Sequence, residues 1–381
     1  MNFDFSEEQT MIMDGISRYV REEYDFDVRR TIKDSEDGYS KDVWRRFSEL
    51  GWLSIPFDEV YGGFGGNTDD LASVMIELGK GAIIEPYVAS RVLLGALINE
   101  SSNESLKKEI IPKIINGDYK GSFAYIEEQS RFEITDIKTA VTKCNGGYTL
   151  RGQKLAVIDA DKSNGFIVSV RTDGSQFSAD GISLFLVEPE AQGVSLSNYK
   201  TMDGHSASVI TFEDTFVSDE NLICAPGNGY SHIKSVMPQI LLTLCSEALG
   251  IMETLNKLTV EYSKTRTQFG SPIGSFQALQ HRMVDNFMAY EQAKSMVYRG
   301  LCEANNYLSG SIDLDEFTRV AHAVKALVAK SSKQIGDESI QIHGGIGMTD
   351  ELNIGHLVKR LMMINVEFGD GDFHQKCFGQ N

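Results

Sequence analysis

This chain of 381 residues lacks any cysteine framework: its five cysteines, at 144, 224, 245, 302 and 377, are scattered, odd in number and without a Cys-x-x-Cys. Such spacing implies neither a disulfide scaffold nor a zinc site, and no metal is expected; reduced thiols in a cytoplasmic protein are the expectation. Basic residues are also short, 36 Lys and Arg against 54 Asp and Glu. The resulting net charge of −18 excludes a general nucleic-acid or anionic-membrane surface, because either would repel the chain. Any phosphate must therefore be met by local cations. No apolar run approaches the ~20 residues that a spanning helix needs. The acidic start, Phe3-Asp4-Phe5-Ser6-Glu7-Glu8-Gln9, has neither the basic nor the apolar region of a signal peptide. Repeats, low-complexity tracts and long linkers are missing too.

What is present falls into three regimes, as a chain of this length permits at roughly 150 residues per domain. Up to about Gly117, the spacing of Met11, Ile12, Ile16 and Val20, and of Leu71, Val74, Met75 and Leu78, follows a helical period interrupted by a loop from Asp58 to Thr68. From Tyr119 the pattern changes to short apolar runs such as Gly165–Val170 and Ile182–Val187, separated by Gly, Asn and Asp turns. From Gly229 helical periodicity returns, with Ile240–Arg266, Gln277–Leu308 and Leu314–His343 as the main helices. The expectation is an α+β chain of three parts. An N-terminal helical domain spans 1–118, a middle β domain of small barrel or sandwich type spans 119–228, and a C-terminal four-helix bundle with a final short helix spans 229–381.

The stretch Arg266-Thr267-Gln268-Phe269-Gly270, leading through Phe276 and Gln277, puts a fixed cation, aromatic surface and an amide into one connection between helices. Arg266 can offer a bidentate donor to pyrophosphate, Phe269 an apolar face, and Gln277 a donor and an acceptor. This segment resembles the FAD-binding stretch of the acyl-CoA dehydrogenase family. Downstream, Gln341-Ile342-His343-Gly344-Gly345-Ile346-Gly347 is similar to the same family's glycine-containing FAD contact. The resemblance extends over nearly the whole chain, through Phe5–Gln9, Glu49–Trp52, Glu59–Gly65, Ile76–Gly79, Phe212–Val217 and Glu220–Ile223. It implies that FAD lies across a dimer contact, held by Arg266, Gln268, Phe269, Phe276 and Gln277 on one side and by Gln341, Gly344 and Gly345 on the other. It also implies a homodimer or tetramer. Glycines suit such a place because a Cβ would hold the backbone away from phosphate. His343, between these residues, reads as a histidine satisfied by backbone rather than as a catalytic group.

The implied reaction converts an acyl-CoA thioester into trans-2-enoyl-CoA, with electron-transfer flavoprotein as oxidant. It needs one carboxylate base in a desolvated site and donors on the thioester oxygen. The chain departs from the family's usual Tyr-Glu-Gly-Thr stretch, reading Val366-Glu367-Phe368-Gly369-Asp370-Gly371-Asp372 instead. Asp370 is then the first candidate for the base, by resemblance to a subgroup that degrades unusual acyl chains, and Glu367 the second. Relatives with the base on the first bundle helix have it where this chain has Ile240, and many have an Arg where it has Leu241. Glu247, seven residues on, turns by ~700° to the same helix face and is a third candidate, in a stretch apolar enough to bury it. A Glu satisfied by a neighbouring helix is the alternative for that residue. The β domain departs as well: Tyr125–Arg131 replaces a Thr-Glu-Pro-Gly loop, and Leu155–Asp159 replaces a Trp-Ile-Thr strand. Two further readings stay open: a non-catalytic or half-catalytic subunit of a hetero-oligomer with a related chain, and a flavin oxidase or monooxygenase on the same fold.

Overall fold

A computed structural model describes residues 6–380; Phe5, the first residue of the family-like opening, lies outside the described residues. The chain begins with helices α1 (Glu7–Glu22), α2 (Phe26–Lys33), α3 (Lys41–Glu49) and α4 (Thr68–Lys80). A seven-residue π-helix, Val88–Leu94, runs into α5 (Gly95–Asn99), and α6 (Glu104–Ile115) follows. Seven strands come next: β1 (Gly121–Ala124), β2 (Ala140–Cys144), β3 (Gly147–Ile158), β4 (Gly165–Arg171), β5 (Ile182–Val187), β6 (Val194–Lys200) and β7 (Ser206–Ser218). The remainder is helical, with α7 (Gly229–Thr265), α8 (Gln277–Leu308), α9 (Leu314–His343), α10 (Asn353–Val366) and α11 (Gly371–Gln380). A two-stranded arm, β8 (Thr267–Gln268) and β9 (Ser271–Pro272), joins α7 to α8.

These residues form two compact units. The first collects the described residues up to Thr31, Asn67–Ile83 and everything from Leu241; the second collects Ile32–Gly66 and Ile84–Ile240. In the first, α1 and α4 pack together and are tied by Gln9, whose Nε2 donates to Asp70 at 2.8 Å. Both helices start on a capping box, Ser6 with Gln9 and Asn67 with Asp70, which satisfies amides that the first turn leaves without partners. The crossing of α4 and α7 is glycine-to-backbone. A Cβ on Gly79 would stand 2.3 Å from the Glu247 carbonyl oxygen, and one on Gly250 would stand 1.9 Å from that of Ile76. α7 is long and apolar enough to cross a membrane by length and composition alone, but 89% of its apolar window is buried within the fold. It is a core helix, extended at its start through Pro238 by eleven residues beyond the Ile240 boundary expected from periodicity.

In the second unit the strands form one mixed sheet in the order β1-β4-β2-β3-β7-β6, with β5 antiparallel on β4. β4 and β5 are buried along their whole length, which is why they read as continuous apolar runs. Phe166, Val168, Phe185, Val187, Ile210 and Phe212 make the core of this sheet. The β3–β7 pairing slips between Leu150 and Gly152 and again between Lys154 and Val157, so β3 is kinked where it reaches Ala156, whose φ is +49°.

Candidate active site and cofactor face

The arm after α7 turns tightly because Phe269 and Gly270 both take positive φ, +53° and +84°. A left-handed Phe is uncommon, and here it places the ring at the arm's tip, 94% exposed, with Phe276 edge-on at 6.3 Å. Arg266, Gln268 and Gln277 are exposed around it. The second segment starts where α9 ends: Gly344 has φ +68°, and a short 3-10 turn covers Gly344–Met348. A Cβ on Gly344 or Gly345 would meet nothing within 4 Å, so the chain's own packing leaves the space before these residues open. Gln341 is exposed beside them.

His343 connects the two segments. Its buried ring stacks on Tyr262, four residues before Arg266, at 4.3 Å, and its Nδ1 lies 2.8 Å from the Ser339 carbonyl. Burial lowers its pKa, and the backbone partner accounts for it without a catalytic role. An exposed guanidinium, an exposed aromatic and an open glycine turn on one unit fit the pyrophosphate and adenine end of a dinucleotide.

In the second unit, Leu155 donates its amide to the Ile126 carbonyl at 2.8 Å, joining the two segments that the family resemblance puts beside a flavin ring. Their side chains at Ile126 and Ile158 are half-buried and aliphatic, so donors to a ring there come from backbone. Lys154 turns inward instead. Its Nζ lies 2.7 Å from Glu127 Oε1 and 3.1 Å from Ser169 Oγ, and both ions are buried. Burial pushes Lys154 down to about 8 against the pull of Glu127. For Glu127 burial acts upward, yet the Lys154 charge and the hydrogen bonds outweigh it and hold the carboxyl at about 2. The pair is ionised at neutral pH and stiffens the bulge.

The three candidate carboxylates lie in the first unit in two different states. Glu247, 4% exposed on α7, receives Arg360 of α10 bidentately, Nε to Oε1 at 2.6 Å and Nη2 to Oε2 at 2.8 Å. The same guanidinium reaches Glu367, just past α10, through Nη1 at 3.0 Å. Glu247 is thus the buried Glu with a partner on a neighbouring helix. Asp370 is half-buried at the start of α11, where its Oδ1 accepts the Phe373 amide at 2.9 Å. Between them the chain makes a tight turn, with Phe368 at φ +59° and Gly369 at φ +125°. A Cβ on Gly369 would fall 2.4 Å from the Phe373 ring and 2.9 Å from His374 Nε2.

Sequence reasoning missed what holds this turn. Arg360 and Glu367 are seven residues apart, the same two-turn spacing that singled out Glu247, and their charges in an otherwise apolar run were a readable signal. Lys325 of α9, wholly buried, donates to the Ile364 carbonyl. His322 and His374 place their Nδ1 atoms 2.8 Å apart, and burial pushes them down to about 4 and about 3. Both rings are neutral at pH 7.

The chain matches the N-terminal, middle and C-terminal domains of the acyl-CoA dehydrogenase family over residues 6–118, 122–215 and 227–377. It is 27% identical to a mitochondrial 2-methylacyl-CoA dehydrogenase of Solanum tuberosum, covering 91% of this chain and 84% of the relative. In fold it superposes on butyryl-CoA dehydrogenase from Megasphaera elsdenii with a TM-score of 0.90, at 23% identity over 100% and 99% of the two chains. An FAD complex of PigA gives a TM-score of 0.91, at 24% identity over 100% and 98%. The chain belongs to the acyl-CoA dehydrogenase family of FAD-dependent oxidoreductases.

Proposed function

We propose that this protein dehydrogenates an acyl-CoA thioester between its α and β carbons, and that the electrons pass to an electron-transfer flavoprotein. The observation that carries this reading is the unequal state of the three carboxylates. Arg360 occupies oxygens of Glu247 and Glu367 with hydrogen bonds from its guanidinium, whereas Asp370 accepts a backbone amide, that of Phe373. Asp370 then takes the α proton. The turn at Phe368 and Gly369 sets how far the shorter Asp reaches, with Lys325 and the His322–His374 pair fixing the helices on either side. Arg266, Gln268, Phe269, Phe276 and Gln277 on the arm, and Gln341, Gly344 and Gly345 on the glycine turn, hold the dinucleotide end of FAD. Arg266 meets phosphate, and the exposed aromatics cover the adenosine from another subunit of a homodimer or tetramer. FAD when bound supplies the hydride acceptor. Backbone amides of Tyr125–Glu128 and Lys154–Ile158 orient its ring.

A second reading has a specific observation behind it. The usual Tyr-Glu-Gly-Thr pattern falls on Glu367-Phe368-Gly369-Asp370, which puts a buried Phe where the family's base stands, and the ring-side hydroxyls are replaced by Ile126 and Ile158. A chain so altered suits the FAD-binding or partner-binding half of a hetero-oligomer. Anaerobic titration of the purified yellow protein with a panel of acyl-CoAs separates the two. Bleaching of the flavin by any of them supports the dehydrogenase. A protein that takes up flavin only with a co-encoded homologue, and is bleached by none alone, supports the subunit.

A further inference from the structure

The end of β3 is held in a conformation that its own residues do not favour. Ala156 and Asp159 both take positive φ, +49° and +53°, and they bracket Val157 and Ile158. That region is uncommon outside glycine, more so for Ala than for Asp, and such residues persist only where their surroundings over-determine them. The side chains from Leu155 to Ile158 are aliphatic, so what fixes this turn comes from its two ends. At the first end is Lys154, whose partner Glu127 also accepts the amides of Lys138 and Thr139 at 2.8 and 3.1 Å.

At the second end is Asp159, the residue after Ile158 and only 1% exposed. Its carboxylate takes Lys162 Nζ at 2.5 Å and lies 3.2 Å from His205 Nδ1, while its amide donates to the Ser206 carbonyl at 2.9 Å. Lys162 closes the short 3-10 turn Ala160–Lys162, and Ser206 opens β7, so one side chain ties the end of β3 to the start of β7. Burial alone would push Asp159 up, but the charges and hydrogen bonds of Lys162 and His205 outweigh it and hold the carboxyl well below its ordinary range. Burial acts downward on Lys162, whose side chain is 3% exposed, yet Asp159, Asp161 and Glu85 outweigh it and raise its pKa. Two full charges of opposite sign are therefore kept where water screens little. Against an apolar replacement a buried ion pair adds little stability, which leaves its use to be sought in the site it adjoins.

We propose that Asp159 and Lys162 set the reduction potential of the flavin, as a balanced pair of charges at the end of the strand that faces its ring. This rests on the ring-side role given above to Lys154–Ile158. A flavin gains negative charge on reduction, so a net positive charge left at this place favours the reduced form and a net negative one opposes it. The test is the midpoint potential of the FAD-loaded protein, read by spectroelectrochemistry at pH 8.5, between the ordinary ranges of imidazole and amine. Asp159→Asn leaves Lys162 uncancelled and should raise the potential; Lys162→Gln leaves Asp159 uncancelled and should lower it. Each shift should match about a tenfold change in the ratio of reduced-form to oxidised-form affinity, about 30 mV for a two-electron couple. The double variant, neutral like the wild type, should return toward the wild-type value. A pair that merely braced the turn would move both single variants the same way. Shifts of one sign, no shift, or a double variant further from the wild type than either single one overturn the proposal. Loss of folding or of FAD in both single variants makes the pair structural and overturns it as well; where one survives, the sign of its shift decides. Bleaching by acyl-CoA is scored separately. Opposite shifts in a protein that no acyl-CoA bleaches keep the tuning pair and remove the dehydrogenase reading; bleaching without opposite shifts does the reverse.

Discussion

Arg360 binds two of the three candidate carboxylates, Glu247 and Glu367, with one guanidinium. Replacing it with Met leaves Glu247 and Glu367 buried without their cation, and this should lower stability by about 3–5 kcal/mol in a urea titration. Adding Glu247→Gln and Glu367→Gln should recover most of the loss; no recovery would mean that Arg360 acts by packing alone. Asp370→Asn should abolish bleaching by substrate with FAD still bound, while Glu247→Gln and Glu367→Gln keep a measurable rate. If Asp370→Asn turns over as the wild type does, the base is elsewhere. The paired histidines give a pH dependence with a definite sign. His322 and His374 have folded values of about 4 and about 3, below the ordinary 6.5, so the unfolded chain binds more protons between those limits. Stability is therefore complete above pH 6.5 and declines as pH falls from there toward 4. His374→Gln should flatten that slope, measured as urea midpoints at pH 5 and pH 7.

Elements were more legible in the sequence than the contacts between them. Leu71, Val74, Met75 and Leu78 are all buried, as their helical spacing implied, and α8 and α9 run over Gln277–Leu308 and Leu314–His343 as the periodicity indicated. The runs Gly165–Val170 and Ile182–Val187 are paired strands because an apolar run of that length between turns has few other uses. The π-helix had no such signal, since Val88–Leu94 reads simply as a buried helix. Nor did Gly79 and Gly250: a glycine inside a helical pattern says nothing of which backbone approaches it. Lys325 and His374 escaped notice because a partner 39 or 52 residues distant has no period, and Arg360 because its near partner, Glu367, reads only as a base. Gly250→Ala should lower stability by about 2–3 kcal/mol or prevent folding, as its Cβ would overlap the Ile76 carbonyl; a melting curve decides. Gly345→Ala provides the contrast. Its Cβ meets no protein atom, so the apoprotein should melt unchanged while FAD retention on a desalting column falls. Unchanged retention would leave the glycine turn without a cofactor role.

At the scale of the molecule, each compact unit is assembled from separated lengths of chain, α1 and α4 belonging with the bundle and α3, α5 and α6 with the sheet. Native-state hydrogen exchange should therefore release the amides of α4 together with those of α7 beyond Leu241, and those of α6 with β4 and β5. An α4 that exchanges in step with α6 would contradict this division. The crossing at Gly79 and Gly250 adds a matter of timing on the ribosome. At ~5–20 residues per second, the roughly 170 residues separating these glycines take on the order of 10 to 30 s to synthesise. For that interval Leu71, Val74, Met75 and Leu78, buried in the finished fold, are outside the ribosome while the α7 backbone that crosses α4 is still unmade. Keeping α4 from adhering to other nascent chains falls in that time to the chaperones of the cell.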